Sequence, residues 1–192
     1  MKEDFGNVLS FWFGPPDSAE RGRPRPCWFK KDEQFDQEIR NRFLALHESA
    51  HGGALAAWER TPLAALALIV ALDQFPRNMF RGEARAFAAD ALALAVARRA
   101  VDQGFDALLR PVERTFVYLP FEHAEDLASQ RRSLALYTGL AGESGTAGNL
   151  EYARRHYEII ARFGRFPHRN AMLGRDSTPE EEAFLLQPGS SF

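Results

Sequence analysis

Thr61-Pro62-Leu63-Ala64-Ala65-Leu66-Ala67-Leu68-Ile69-Val70-Ala71-Leu72, running straight into Asp73-Gln74-Phe75-Pro76-Arg77-Asn78, decides the fold. Threonine followed by proline is a helix start: the hydroxyl suits the N-cap, and proline in the first turn lacks only an N–H that has no partner there. Residues 63–72 then carry no polar side chain. A helix apolar on every side has to be surrounded by other elements. It is far short of the roughly 20 residues that cross a bilayer. Pro76 reads as its stop.

The remaining elements are placed outward from this helix. Phe5, Val8, Leu9 and Trp12 recur at helical spacing until Gly14-Pro15-Pro16. Residues 14–27 are rich in proline and arginine and read as an irregular loop. Asp32 caps a long helix with Phe35, Ile39, Phe43 and Leu46 on one stripe, ended by Gly52-Gly53. Leu55 and Trp58 mark a short turn of helix. Residues 83–103 read as one helix with Phe87, Ala91, Leu94 and Val101 inward. Pro111 opens a short helix that stops before Pro120, and residues 122–137 form the next, with His123, Leu127, Gln130 and Leu134 on one stripe. Residues 142–148 read as a flexible linker, residues 150–163 as a helix, and Thr178-Pro179-Glu180-Glu181 as a fresh helix start with acids in its first turn. The tail 188–192 should be loose. No sustained period-2 run predicts a strand. The expectation is a single all-α domain over 1–192, with eight or nine helices in antiparallel hairpins resembling a tetratricopeptide array.

Composition narrows the function classes. The chain has 192 residues, 45% hydrophobic and 26% charged, enough to bury a core without a disulfide or metal staple. Its formal charge of −2 gives no global field toward nucleic acid or an anionic membrane. Of 24 basic residues only Lys2, Lys30 and Lys31 are lysines; the other 21 are arginines. Base composition accounts for such a bias, and so does recognition of carboxylates or phosphates by planar guanidinium forks. The one cysteine, Cys27, excludes an internal disulfide and suits a reducing compartment. Beside Pro26 and without a local catalytic signature, it reads as a small hydrophobe rather than a nucleophile. Met1-Lys2-Glu3-Asp4 is too acidic for a signal peptide, so the expected location is cytoplasmic.

Three segments depart from ordinary loop chemistry: residues 73–82, residues 120–126 and residues 163–175. The first and third echo each other, Phe75-Pro76-Arg77-Asn78 against Phe166-Pro167-His168-Arg169-Asn170. Arg77, Arg81, Arg165 and Arg169 would hold an anion, with Asn78, Asn170 and His168 beside them. The plain alternative is that they tie down orphan carbonyls at helix ends. His123 with Glu122 or Glu125 has the chemistry of general acid–base work. The structural alternatives are a hydrogen-bonded core histidine and acids placed to meet a helix dipole. His123, His156 and His168 with Glu122 or Glu125 would also suffice for zinc or iron, but no pair has a recognised ligand spacing, and no metal site is assigned. No phosphate-binding glycine loop, nucleophile elbow or kinase signature is present.

At these segments the chain resembles a largely bacterial family of unknown function, domain-of-unknown-function family 924. The resemblance runs from Val8-Leu9-Ser10-Phe11-Trp12-Phe13-Gly14 to Ser177-Thr178-Pro179-Glu180-Glu181. Its landmarks are Leu72-Asp73-Gln74-Phe75-Pro76-Arg77-Asn78, Pro120-Phe121-Glu122-His123 and Arg162-Phe163-Gly164-Arg165-Phe166-Pro167-His168-Arg169-Asn170. The family pattern has serine where Ala124 stands, which removes a hydroxyl from that position. The resemblance implies a helical fold similar to tetratricopeptide repeats and brings no activity, cofactor or catalytic residue. Two functions follow as expectations: a small-molecule binder or enzyme for a phosphate- or carboxylate-bearing metabolite, or a helical scaffold for a peptide or protein partner.

Overall fold

Acidic caps and first-turn prolines set where the helices begin. In the computed structural model, which describes residues 4–190, Asp4 accepts from the Gly6 amide and opens α1 (Phe5–Phe13). Asp32 accepts from Gln34 and Phe35 and opens α2 (Glu33–His51). Pro62 opens α3 (62–79), Asp90 starts α4 (Asp90–Asp102), and Pro111 opens α5 (Pro111–Glu122). Asp126 caps α6 (Leu127–Leu140) through the Ser129 amide. α7 spans Asn149–Phe163, and a Thr178–Glu181 capping box opens α8 (Pro179–Leu185). Short 3-10 turns fill several connections, and no strand occurs among the described residues. The fold is all-α.

Pro76 does not stop α3. The helix is α-helical over Pro62–Ile69, π-helical over Val70–Gln74 and α-helical again over Phe75–Met79. The Phe75 amide reaches back to the Val70 carbonyl, and Pro76 has no N–H to give Ala71. The Ala71 carbonyl is instead met by buried His47, whose Nδ1 donates at 2.9 Å. One widened turn thus carries the chain past the proline, and a side chain from α2 supplies the donor that the helix lacks.

Two further expectations are corrected. Pro120 lies inside α5, which continues to Glu122 with His123 as its C-cap. Glu122 and His123 therefore do not begin the following helix. Glu122 and Glu125 share no helical face, and His123 is not on a stripe with Leu127 and Leu134. Residues 83–103 are also not one helix: a 3-10 turn, Ala84–Phe87, precedes α4. This sets Ala93, Val96, Ala97 and Ala100 inward and leaves Ala91 exposed.

Helices consecutive in the chain pack on one another from α2 through α7, and α1 packs on α3. Residues 64–72 of α3 are buried on all sides, whereas Leu63 in its first turn is 43% exposed. Trp12 meets Phe75 and Phe116 edge-on at 5.6 and 5.8 Å between ring centres, and Phe43 stacks on Phe75 at 4.7 Å. Arg21 of the 14–27 loop pairs with buried Glu113 of α5 at 2.6 Å, and Arg25 donates to the carbonyls of Phe11 and Trp12 at the end of α1. In residues 142–148, buried Thr146 donates to the Leu140 carbonyl. A smaller apolar cluster of Ile159, Ile160 and Phe166 joins α7 to the segment after it. No helix among the described residues is long and apolar enough to cross a membrane.

Candidate functional site

The widened turn of α3 places Asp73 in the interior, where its side chain is 1% exposed. Across from it, the C-cap of α5 presents His123, whose Nδ1 is 2.8 Å from Asp73 Oδ1. Gln130, one turn into α6, holds that C-cap in place by donating to the carbonyls of Glu122 and Ala124. One turn on from Asp73, Arg77 contacts its carboxylate at 3.3 Å and forms a two-pronged pair with Asp90 at 3.0 Å in each arm. Asp90 also accepts from Arg169 at 3.3 Å. Gly164 in the left-handed region (φ 70°) ends α7, and the turn it permits returns the chain over the cluster. Phe166 is then fully buried, and Arg169 lies between the rings of Phe166 and Phe87 at 4.5 and 4.7 Å.

Beside the Asp73–His123 pair, Glu122 Oε1 lies 3.3 Å from Nδ1 of His156, which also meets the Tyr152 carbonyl at 2.9 Å. The His156 ring sits 6.3 Å from that of His123 and 5.4 Å from that of Phe166, and His168 packs on Phe166 at 5.6 Å.

Burial sets the protonation states. Burial raises the Asp73 carboxyl, but Arg77, His123 and Gln74 outweigh it and hold the group well below the usual carboxylate range. Burial, aided by the Asp73 charge, pushes Glu122 up to about 8. Burial and Arg77 lower His123 against the pull of Asp73. Burial lowers His156 to about 3 and His168 to about 4. Burial and the neighbouring Arg77 lower Arg169 to about 10. At neutral pH the cluster therefore holds the Asp73 carboxylate beside the guanidiniums of Arg77 and Arg169, both of which also contact Asp90. The histidines and Glu122 are neutral. With Asp73 ionised, His123 carries its proton on Nδ1, and Nε2 has the free lone pair of a general base.

Of the expected residues, Arg77, Glu122, His123, His168 and Arg169 converge. Glu125 stands at the rim, clamping Arg175 at 2.6 and 2.9 Å and accepting from the Phe166 amide at 2.7 Å. Asn78 and Arg81 turn the other way and bind Asp36 of α2. Arg165 pairs with Glu181, and Asn170 bonds Ser177, Glu181 and Arg175, so both fasten the C-terminal segment. Sequence reasoning missed Asp90 and left His156 only as a metal candidate. Within one helix over residues 83–103 Asp90 reads as an ordinary mid-helix acid, and His156 sits within an amphipathic pattern. No group of three or more His, Cys, Asp or Glu side chains is placed to hold a metal ion among the described residues. Cys27 lies apart on the 14–27 loop, with burial raising its thiol.

No curated protein matches the chain. A solved structure of a protein of unknown function from Agrobacterium tumefaciens is similar: it is 40% identical, with a TM-score of 0.83, and the match covers 95% of this chain and 96% of that one. Residues 8–189 match the family described as a bacterial protein of unknown function, DUF924. Spanning nearly the whole fold and all three segments that build the cluster, that match shows that the chain belongs to this bacterial family of unknown function.

Proposed function

We propose that the chain is a cytoplasmic small-molecule-binding protein or enzyme, and that an anionic metabolite binds at the Asp73–Arg77–His123–Arg169 cluster. One observation carries this reading. Groups from separate segments meet in the interior with their protonation shifted in opposite senses, an arrangement typical of functional sites. Arg77 and Arg169 hold the anion. His123, oriented by Asp73 as in a histidine–carboxylate pair, accepts a proton at Nε2. Glu122 holds a proton nearby. The free thiol of Cys27 suits the reducing interior of a cell.

A helical scaffold for a peptide partner would instead place its binding residues along successive helix faces. Here Arg77, Glu122, His123 and Arg169 gather at one buried point. A thermal-shift screen against small carboxylates and phosphorylated metabolites tests the proposal. A ligand at about 1,000 times its Kd adds about 4 kcal/mol and raises Tm by roughly 8–16 °C in a domain of this size. The rise should vanish in Arg169→Gln. A screen without a hit, or hits indifferent to Arg169, would set the proposal aside.

A further inference from the structure

Arg169 is a buried cation with too few acceptors. Its side chain is 7% exposed, the one hydrogen bond of that side chain among the described residues is the 3.3 Å contact to Asp90, and its buried Nε has no hydrogen-bond partner. A guanidinium carries five N–H donors, and leaving buried donors unmet is costly. The rings of Phe87 and Phe166 offset part of that cost. Asp90 covers only one corner of this cation while spending both oxygens on Arg77. It is also more exposed than Arg169, at 19%, and it begins α4. Released from the arginines, its carboxylate would remain at a helix N-terminus, where the backbone dipole favours negative charge. Arg77 would keep Asp73.

We propose that Asp90 stands in for the carboxylate of the ligand. An incoming carboxylate displaces Asp90 from between Arg77 and Arg169, pairs with Arg77 through both oxygens and takes up the donors of Arg169 that Asp90 leaves unmet. The exchange replaces one singly charged carboxylate by another, so the two guanidiniums stay balanced. A doubly charged phosphate would leave an excess negative charge in the interior, which is unfavourable. This inference rests on the anion site proposed above and names its ligand chemistry.

The test is calorimetric titration of acetate and of inorganic phosphate into the wild type, Asp90→Asn, Asp90→Ala and Arg169→Gln, each checked for native far-UV circular dichroism. Without the competing carboxylate, acetate should bind the Asp90 variants at least about tenfold tighter than the wild type, a gain of about 1.4 kcal/mol. It should not bind Arg169→Gln, and phosphate should gain less than acetate. Equal or weaker acetate binding by folded Asp90 variants would overturn the stand-in role; if Arg169→Gln still abolished binding, the anion site itself would survive. An equal gain for phosphate would overturn the carboxylate assignment. Failure of both anions to bind any variant would remove the inference and the proposed function together.

Discussion

Glu122 is the residue whose environment departs furthest from what its sequence position suggests. An acid beside a histidine after Pro120 reads as part of a helix first turn, where a carboxylate would be ionised. It lies instead at the end of α5, 4% exposed, with its carboxyl raised from 4.5 to about 8. The folded state thus binds more protons than the unfolded one across that interval. The stability linked to Glu122 is fully present below pH 4.5 and is lost as the pH rises through about 8. His156 and His168 act in the opposite sense: their folded values of about 3 and about 4 lie below 6.5, so stability falls as the pH drops below 6.5. Above that pH the histidines are neutral in both states, and Glu122 dominates this cluster. The urea midpoint of the wild type should fall between pH 6.5 and 8, whereas Glu122→Gln should be nearly flat over the same range. Parallel slopes in the two proteins would show that Glu122 is not protonated when buried.

At the scale of elements, α3 shows both the reach and the limit of sequence reading. The Thr61-Pro62 start and the all-round burial of residues 64–72 were legible, because capping and amphipathicity are local properties. The passage through Pro76 was not. It depends on a π turn and on a donor to Ala71 from His47, 24 residues before Ala71 in the chain and on another helix. The same limit applies to Pro120, which a helix tolerates when its end comes two residues later. The segments carrying Arg77, His123 and Arg169 were recognisable by composition. Which of their side chains face inward was not, since Asn78 and Arg81 reach Asp36 while Arg77, from the same turn, reaches Asp73. His47→Leu roughly keeps the volume of the side chain and removes the donor to Ala71. It should cost about 1–3 kcal/mol for the orphaned buried carbonyl. Urea denaturation at pH 7 measures this; a change below about 0.5 kcal/mol, the ordinary scatter of innocuous substitutions, would mean that the widened turn does not depend on His47.

Across the whole molecule, the helices form a frame whose last segment closes over one point. α3 delivers Asp73 and Arg77, the end of α5 delivers Glu122 and His123, α4 delivers Asp90, and the turn after Gly164 brings Phe166, His168 and Arg169. Arg175 with Glu125, and Arg165 with Glu181, fasten that closing segment at its rim. The five histidines of the chain divide accordingly: His47 and His51 lie on α2, whereas His123, His156 and His168 belong to the cluster. They offer five internal reporters of where a ligand binds. The most direct measurement is therefore an NMR titration of the histidine side chains with acetate at pH 7. Saturable shifts confined to His123, His156 and His168, and abolished in Arg169→Gln, are the predicted result. Acetate shifts centred on His47 and His51, or no shift at the cluster histidines at saturating acetate, would contradict the account.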